Sequence, residues 1–146
     1  MTPKLRIYVP VGIAVILAGI QFIPKGMRDK QESHHMISLN NDAKLALTRA
    51  CFDCHSYETR WPWYSYLAPI SMLVERDVKL ARARLNFSEW EDLGENRKKK
   101  LADKIIKSIE EDTMPLWSYA IMHPEAKLDD NDKEIIKKAM GQFTAN

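Results

Sequence analysis

"NDAKLALTRACFDCH", Asn41 to His55, opens on residues that cap helices and closes on two cysteines three positions apart, with a histidine directly after the second. Asn41 or Asp42 suits an N-cap, and Leu47, Cys51 and Cys54 recur at i, i+4 and i+7, one face of a helix. The cysteine pair is therefore expected at the C-terminal end of an amphipathic helix. These are the only two cysteines in 146 residues.

Outward from this stretch the pattern stays helical. After Pro69, which suits a first-turn position, Ile70, Val74, Val78, Ala81 and Leu85 form an apolar stripe, with Arg76, Lys79, Arg82 and Arg84 mostly opposite. A short piece, "SEWEDL", begins at Ser88 and stops at Gly94. A third long helix starts near Asn96, carries Leu101, Ile105 and Ile109, and ends before Pro115. A fourth begins around Asp130 with Ile135, Ile136, Ala139, Met140 and Phe143 inward, closed by Gly141 or the chain end. The run "RKKK", Arg97 to Lys100, reads as a solvated face. No strand pair is suggested, so the fold class is all-α.

Upstream, Ile7 to Ile23 runs 17 residues without a charge, and Gln21 is its one strongly polar side chain. As a helix it would reach roughly 26 Å, close to a hydrocarbon core. With Lys4 and Arg6 before it and no small-x-small cleavage pattern after it, it reads as an uncleaved signal anchor. The organisation expected is an anchor over 1–24 with a transmembrane helix at about 7–23, a linker over 25–40, and a helical domain over 41–146. Lys and Arg number five against two acidic residues in 1–40, and 17 against 18 beyond, so the domain is near neutral. That balance carries no nucleic-acid footprint.

The chemistry lies in "CFDCHS". A thioredoxin-like dithiol needs its first cysteine at a helix N-terminus after a strand, and here the pair ends a helix. Structural zinc needs four ligands, and no third cysteine exists. A disulfide across two residues closes a strained loop. Covalent haem attachment fits all three residues: thiols one turn apart form thioethers with two vinyl groups on one porphyrin edge, and His55 becomes the proximal iron ligand. Attachment of this kind takes place on the outer face of the bacterial inner membrane, so residues 24–146 are expected in the periplasm.

The sixth ligand decides between electron transfer and chemistry at an open iron. Met114, in "EEDTMPLWSY", leaves a helix end and precedes Pro115, which holds it in extended backbone on a loop. Met122, His123 and the linker pair His34 and His35 are the other candidates, while Met72 reads as core filling. In "YETRWPWYSYLAP", Tyr57 to Pro69, Trp61 and Tyr64 are candidates for a haem wall, with Arg60, Tyr64 or Trp61 donating to a propionate.

The blocks "CFDCHS", "WPWYSYLAPIS", "RLNFSEW" and "MPLWSYAIMHPEAKL", in this order over about Asp42 to Met140, resemble the small haem-binding domain family of membrane-anchored monohaem c-type cytochromes of bacteria. The resemblance implies one covalent haem c on Cys51 and Cys54, proximal His55 and distal Met114. Ala81 stands where the family pattern would have glycine, which bears on helix packing alone. The expectation is a cytochrome c-like helical haem domain, not an enzyme, passing single electrons between redox partner proteins. A haem-based redox or ligand sensor is the alternative, as is an electron-transfer subunit of a membrane complex.

Overall fold

The computed structural model describes residues 3–23 and 35–144, and every regular element among them is helical. The helices are α1 (Pro3–Gly19), α2 (Asn41–Ala50), α3 (Phe52–His55), α4 (Ile70–Arg84), α5 (Glu95–Glu110), α6 (Trp117–Met122) and α7 (Asp130–Gly141). Short 3-10 turns lie at Ile20–Phe22, Trp63–Tyr66, Phe87–Asp92 and Pro124–Ala126.

Local chemistry accounts for the helix starts. Asn40, one residue earlier than expected, caps α2 by accepting from the Ala43 amide at 2.9 Å. Asp129 caps α7 in a reciprocal box with Asp132, which satisfies two of the otherwise orphaned amides. Pro69 is the residue before α4. α2 does not run through to His55: Cys51 breaks out of helical geometry at φ −127°, and the helix restarts as the single turn α3.

The core forms where α2 and α5 each pack on α7. Leu47, Phe52, Leu101, Ile109, Ile136 and Met140 are buried there with Phe87 and Trp90 of the 3-10 turn. Phe87 stacks on Trp90 at 5.9 Å and meets Phe52 at 5.3 Å, while Phe143 closes edge-on over Trp90. The stretch expected as linker joins this core at its described end: Ile37 is buried, its amide donates to the Phe87 carbonyl, and the Glu91 amide donates to that of His35.

Several expectations change. The helix expected over 7–23 is built as α1, which starts at Pro3, includes Lys4 and Arg6, and gives way to a 3-10 turn at Ile20. No helix among the described residues is long and apolar enough to cross a membrane. Its uncharged helical part, from Ile7 to Gly19, reaches only about 20 Å. Gln21 instead exchanges hydrogen bonds with Ala68, its Nε2 donating to the carbonyl and its Oε1 accepting from the amide, both at 3.0 Å. The α4 stripe buries only Val78; Ile70 remains exposed and Met72, at 49%, fills no core. Lys98 leaves the expected solvated face, buried with its ammonium on Glu91 at 2.8 Å. The helix α6 and the turns at 63–66 and 124–126 lack a sequence signature because they are short, with no capping side chain, and the first two are rich in aromatic residues.

Candidate functional site

The break at Cys51 shapes the site. The single turn α3 lies between two cavities and presents different residues to each. The first, about 330 Å³, is lined by Cys51, His55 and Met114 together with Leu85, Phe87, Leu101, Ile105 and Ile109. Its polar lining is Arg84, Lys104 and Ser108. The second, about 400 Å³, takes Cys54, Tyr64, Tyr119 and Met122, with Ile70, Leu73 and Val74 of α4.

His55 is held by backbone. Its Nδ1 lies 3.0 Å from the Leu85 carbonyl, which assigns the ring proton to Nδ1 and leaves the Nε2 lone pair for a metal. Burial pushes the imidazole below its ordinary range, outweighing the Leu85 and Ala81 carbonyls that act the other way. A neutral ring is the ligating form.

Both cysteines are free thiols. Burial, followed by the neighbouring Cys54, pushes Cys51 up to about 12. Burial again, followed by Asp53, pushes Cys54 up to about 11. Thiol–disulfide chemistry runs through the thiolate, so these values disfavour a redox dithiol at neutral pH. Among the described residues no three His, Cys, Asp or Glu side chains gather as a metal site.

Among the described residues, none of the other sixth-ligand candidates lines the His55 cavity. Met122 faces the second one. His123 accepts or donates at both nitrogens, with Tyr64 Oη at 2.8 Å from Nε2 and Glu125 at 3.2 Å from Nδ1, and it stacks on Tyr119. His35 pairs with Asp92 at the surface, and His34 lies outside the described residues. Tyr64 lines the second cavity, while Trp61 lines neither.

Arg60 lines the second cavity, with its guanidinium committed to Asp53. Its guanidinium forks onto Asp53, with Nε to Oδ1 at 3.1 Å and Nη2 to Oδ2 at 3.0 Å, and its amide donates to Oδ1 at 2.9 Å. Hydrogen bonding to Asp53 is also the main cause that raises its pKa. The segment after the motif is knit by Arg82, which turns inward: Nε donates to the Ser56 carbonyl and Nη2 to Thr59 Oγ1, each at 2.8 Å, over the Tyr57 ring. Tyr57 in turn bonds Glu89.

Residue patterns alone missed Asp53, Tyr119, Arg84 and Lys104. The last two are the cations of the His55 cavity, whereas Arg60 had been the expected one. The one available signal was position, since Arg84 closes α4 beside Leu85.

The donor set suits haem: a thiol, a neutral imidazole and a thioether in an apolar cavity with two cations at its wall. A family model described as a haem-binding domain matches residues 15–142, well over half the chain. The match begins within α1, further upstream than the 42–140 of the sequence resemblance. No curated protein and no solved structure matches.

Proposed function

Because the chain belongs to the haem-binding domain family, we propose that it is a monohaem c-type cytochrome that carries single electrons between redox partner proteins. The observation that carries this reading is the meeting of Cys51, His55 and Met114 in one cavity, with His55 Nδ1 held by Leu85.

In this reading Cys51 and Cys54 bind the haem covalently. Each S–H adds across a vinyl double bond, sulfur to one carbon and hydrogen to the other, with no net oxidation. His55 would serve as the proximal iron ligand and Met114 as the distal one. Cys54 lines the second cavity, so the residues that would hold the haem come from both. Arg84 and Lys104 supply positive charge for the propionates. The bound haem supplies the one-electron ferric/ferrous couple, and the protein supplies binding, orientation and tuning. A neutral thioether favours the ferrous state relative to a second imidazole, so Met114 raises the potential.

The exposed apolar side chains of α1, among them Val11, Val15 and Ile16, support attachment to the bacterial inner membrane. The haem domain would then face the periplasm, where attachment of this kind takes place. Electron carriage, without catalytic turnover, is the activity.

Mass spectrometry of the chain matured in a host that makes c-type cytochromes should show one added haem, lost in Cys51→Ala/Cys54→Ala. Met114→Ala should retain the haem, lower the potential and bind carbon monoxide readily in the ferrous state. An unmodified wild-type mass would end this reading, and a Met114→Ala spectrum identical to wild type would end the assignment of Met114.

A further inference from the structure

Asp53 is the second residue between the two cysteines of the haem motif, and it is only 7% exposed. Besides the Arg60 fork, its Oδ2 accepts from Tyr119 Oη at 2.6 Å. Tyr119 belongs to α6, five residues after Met114. On the other side of Met114, the amides of Thr113 and Met114 both donate to the Ser108 carbonyl of α5, at 3.0 and 3.3 Å. The Met114 segment is therefore pinned at two points, to α5 before it and to the haem motif after it.

Burial does not do this work. From Glu111 to Tyr119 no residue is buried, and Leu116 and Trp117 are exposed. α6 is short, lacks a capping side chain, and makes its main packing with the turn that follows it. A hydrogen bond to a charged acceptor, worth more than one between neutral groups, is a strong fixed point for such a segment. Arg60 completes it by holding the carboxylate in one orientation, so that Oδ2 faces Tyr119.

We infer that Asp53 is a positioning residue for the distal ligand: through Tyr119 it holds the Met114 segment against the turn that carries both haem cysteines. The inference rests on the His55/Met114 reading above. It makes the haem motif itself a determinant of how firmly the methionine is bound.

The test is imidazole titration of the ferric holoprotein, full chain, with loss of the iron–sulfur charge-transfer band as the readout. Exogenous imidazole enters only when the methionine leaves, so its apparent Kd reports the fraction of ligand-off protein. Tyr119→Phe should tighten imidazole binding about tenfold, the scale of one charge-assisted hydrogen bond, with haem content and helical circular dichroism unchanged. Asp53→Asn keeps one oxygen for Tyr119 but loses the charge and sets an amide donor against the Arg60 fork, so it should tighten imidazole binding by about threefold, less than Tyr119→Phe. In an Asp53→Ala background, Tyr119→Phe should add nothing further.

Tyr119→Phe with wild-type imidazole affinity, while Met114→Ala binds it tightly, would overturn the inference and leave the ligand assignment standing. Wild-type behaviour in Met114→Ala itself would remove both. Should Asp53→Ala not fold, Tyr119→Phe and Asp53→Asn decide the matter between them.

Discussion

The two sides of α3 are held together by different forces. On one, α2, α5 and α7 seal Leu47, Ile109, Ile136 and Met140 around Phe87 and Trp90. On the other, α4, the Tyr57–Tyr66 segment and α6 meet through named polar bonds: Arg82 on Ser56 and Thr59, Arg60 and Tyr119 on Asp53, Tyr64 on His123. There Ile70, Leu73, Trp63 and Trp117 remain exposed, the last at 76%. Burial is strong and tolerant of direction, whereas hydrogen bonds are weaker and set distances and angles. The frame around His55 thus gains its rigidity from packing, and the side that carries α6, just after Met114, gains its geometry from a few directed contacts.

The contrast can be broken most forcefully at Trp90. It is fully buried between Phe87 and Phe143, and Trp90→Ala should cost about 3–5 kcal/mol in a denaturant titration. Its indole N–H has no hydrogen-bond partner among the described residues, so Trp90→Phe should cost clearly less, through volume alone. If the two variants lost equal stability, packing would not be the main force on that side.

On the polar side Arg82→Ala should cost about 2 kcal/mol, since it strips charged donors from Ser56 and Thr59. Arg82→Met retains the aliphatic stem and should recover only a minor part. Full recovery would mean that the side chain serves by covering Tyr57, and the distinction between the two sides would shrink.

The smallest effect sharpens the contrast from within the core side, at the Glu91–Lys98 pair. The hydrogen bond from Lys98 is the main cause that holds Glu91 below its ordinary 4.5, and Glu91 is the main cause that raises Lys98 above 10.5. The Glu91 contribution is complete above pH 4.5 and is lost as pH falls through its lower folded value; that of Lys98 is complete below pH 10.5 and lost as pH rises through its higher one. Glu91 is 38% exposed, so solvent screens the pair. Lys98→Met should leave stability near neutral pH almost unchanged and flatten both limbs of the pH–stability curve. Unchanged limbs would show the pair to be energetically silent.

Much of the fold was legible residue by residue. The stripes of α5 and α7 lie on the core as their spacing indicates, and the start of α7 was marked by its acidic cap. The spacing of the cysteine pair and His55 was legible directly, whereas the division that puts Cys51 and His55 on one cavity and Cys54 on the other was not. α4 was misread in depth: its apolar stripe faces a cavity, and Arg82 points inward to a segment 26 residues earlier. Lys98 was misread because its partner Glu91 lies outside its own helix. The apolar run at the N-terminus was legible as a helix, while the place where that helix starts and frays decided its reach.

By itself the sequence determined what depends on neighbours within a turn or two: helix caps, apolar faces, the thiol–thiol–imidazole spacing, and the extended backbone of a methionine before proline. Tertiary structure decided what depends on distant partners. The Leu85 carbonyl that orients His55 is 30 residues away, and the Tyr119 hydroxyl on Asp53 is 66 residues away. It also decided which candidate ligand shares the cavity of His55, because α5 and α6 carry Met114 there while His123 is drawn to Tyr64 and Glu125. Local spacing chooses the chemistry of a side chain, but only the packing of separate helices can choose its partner.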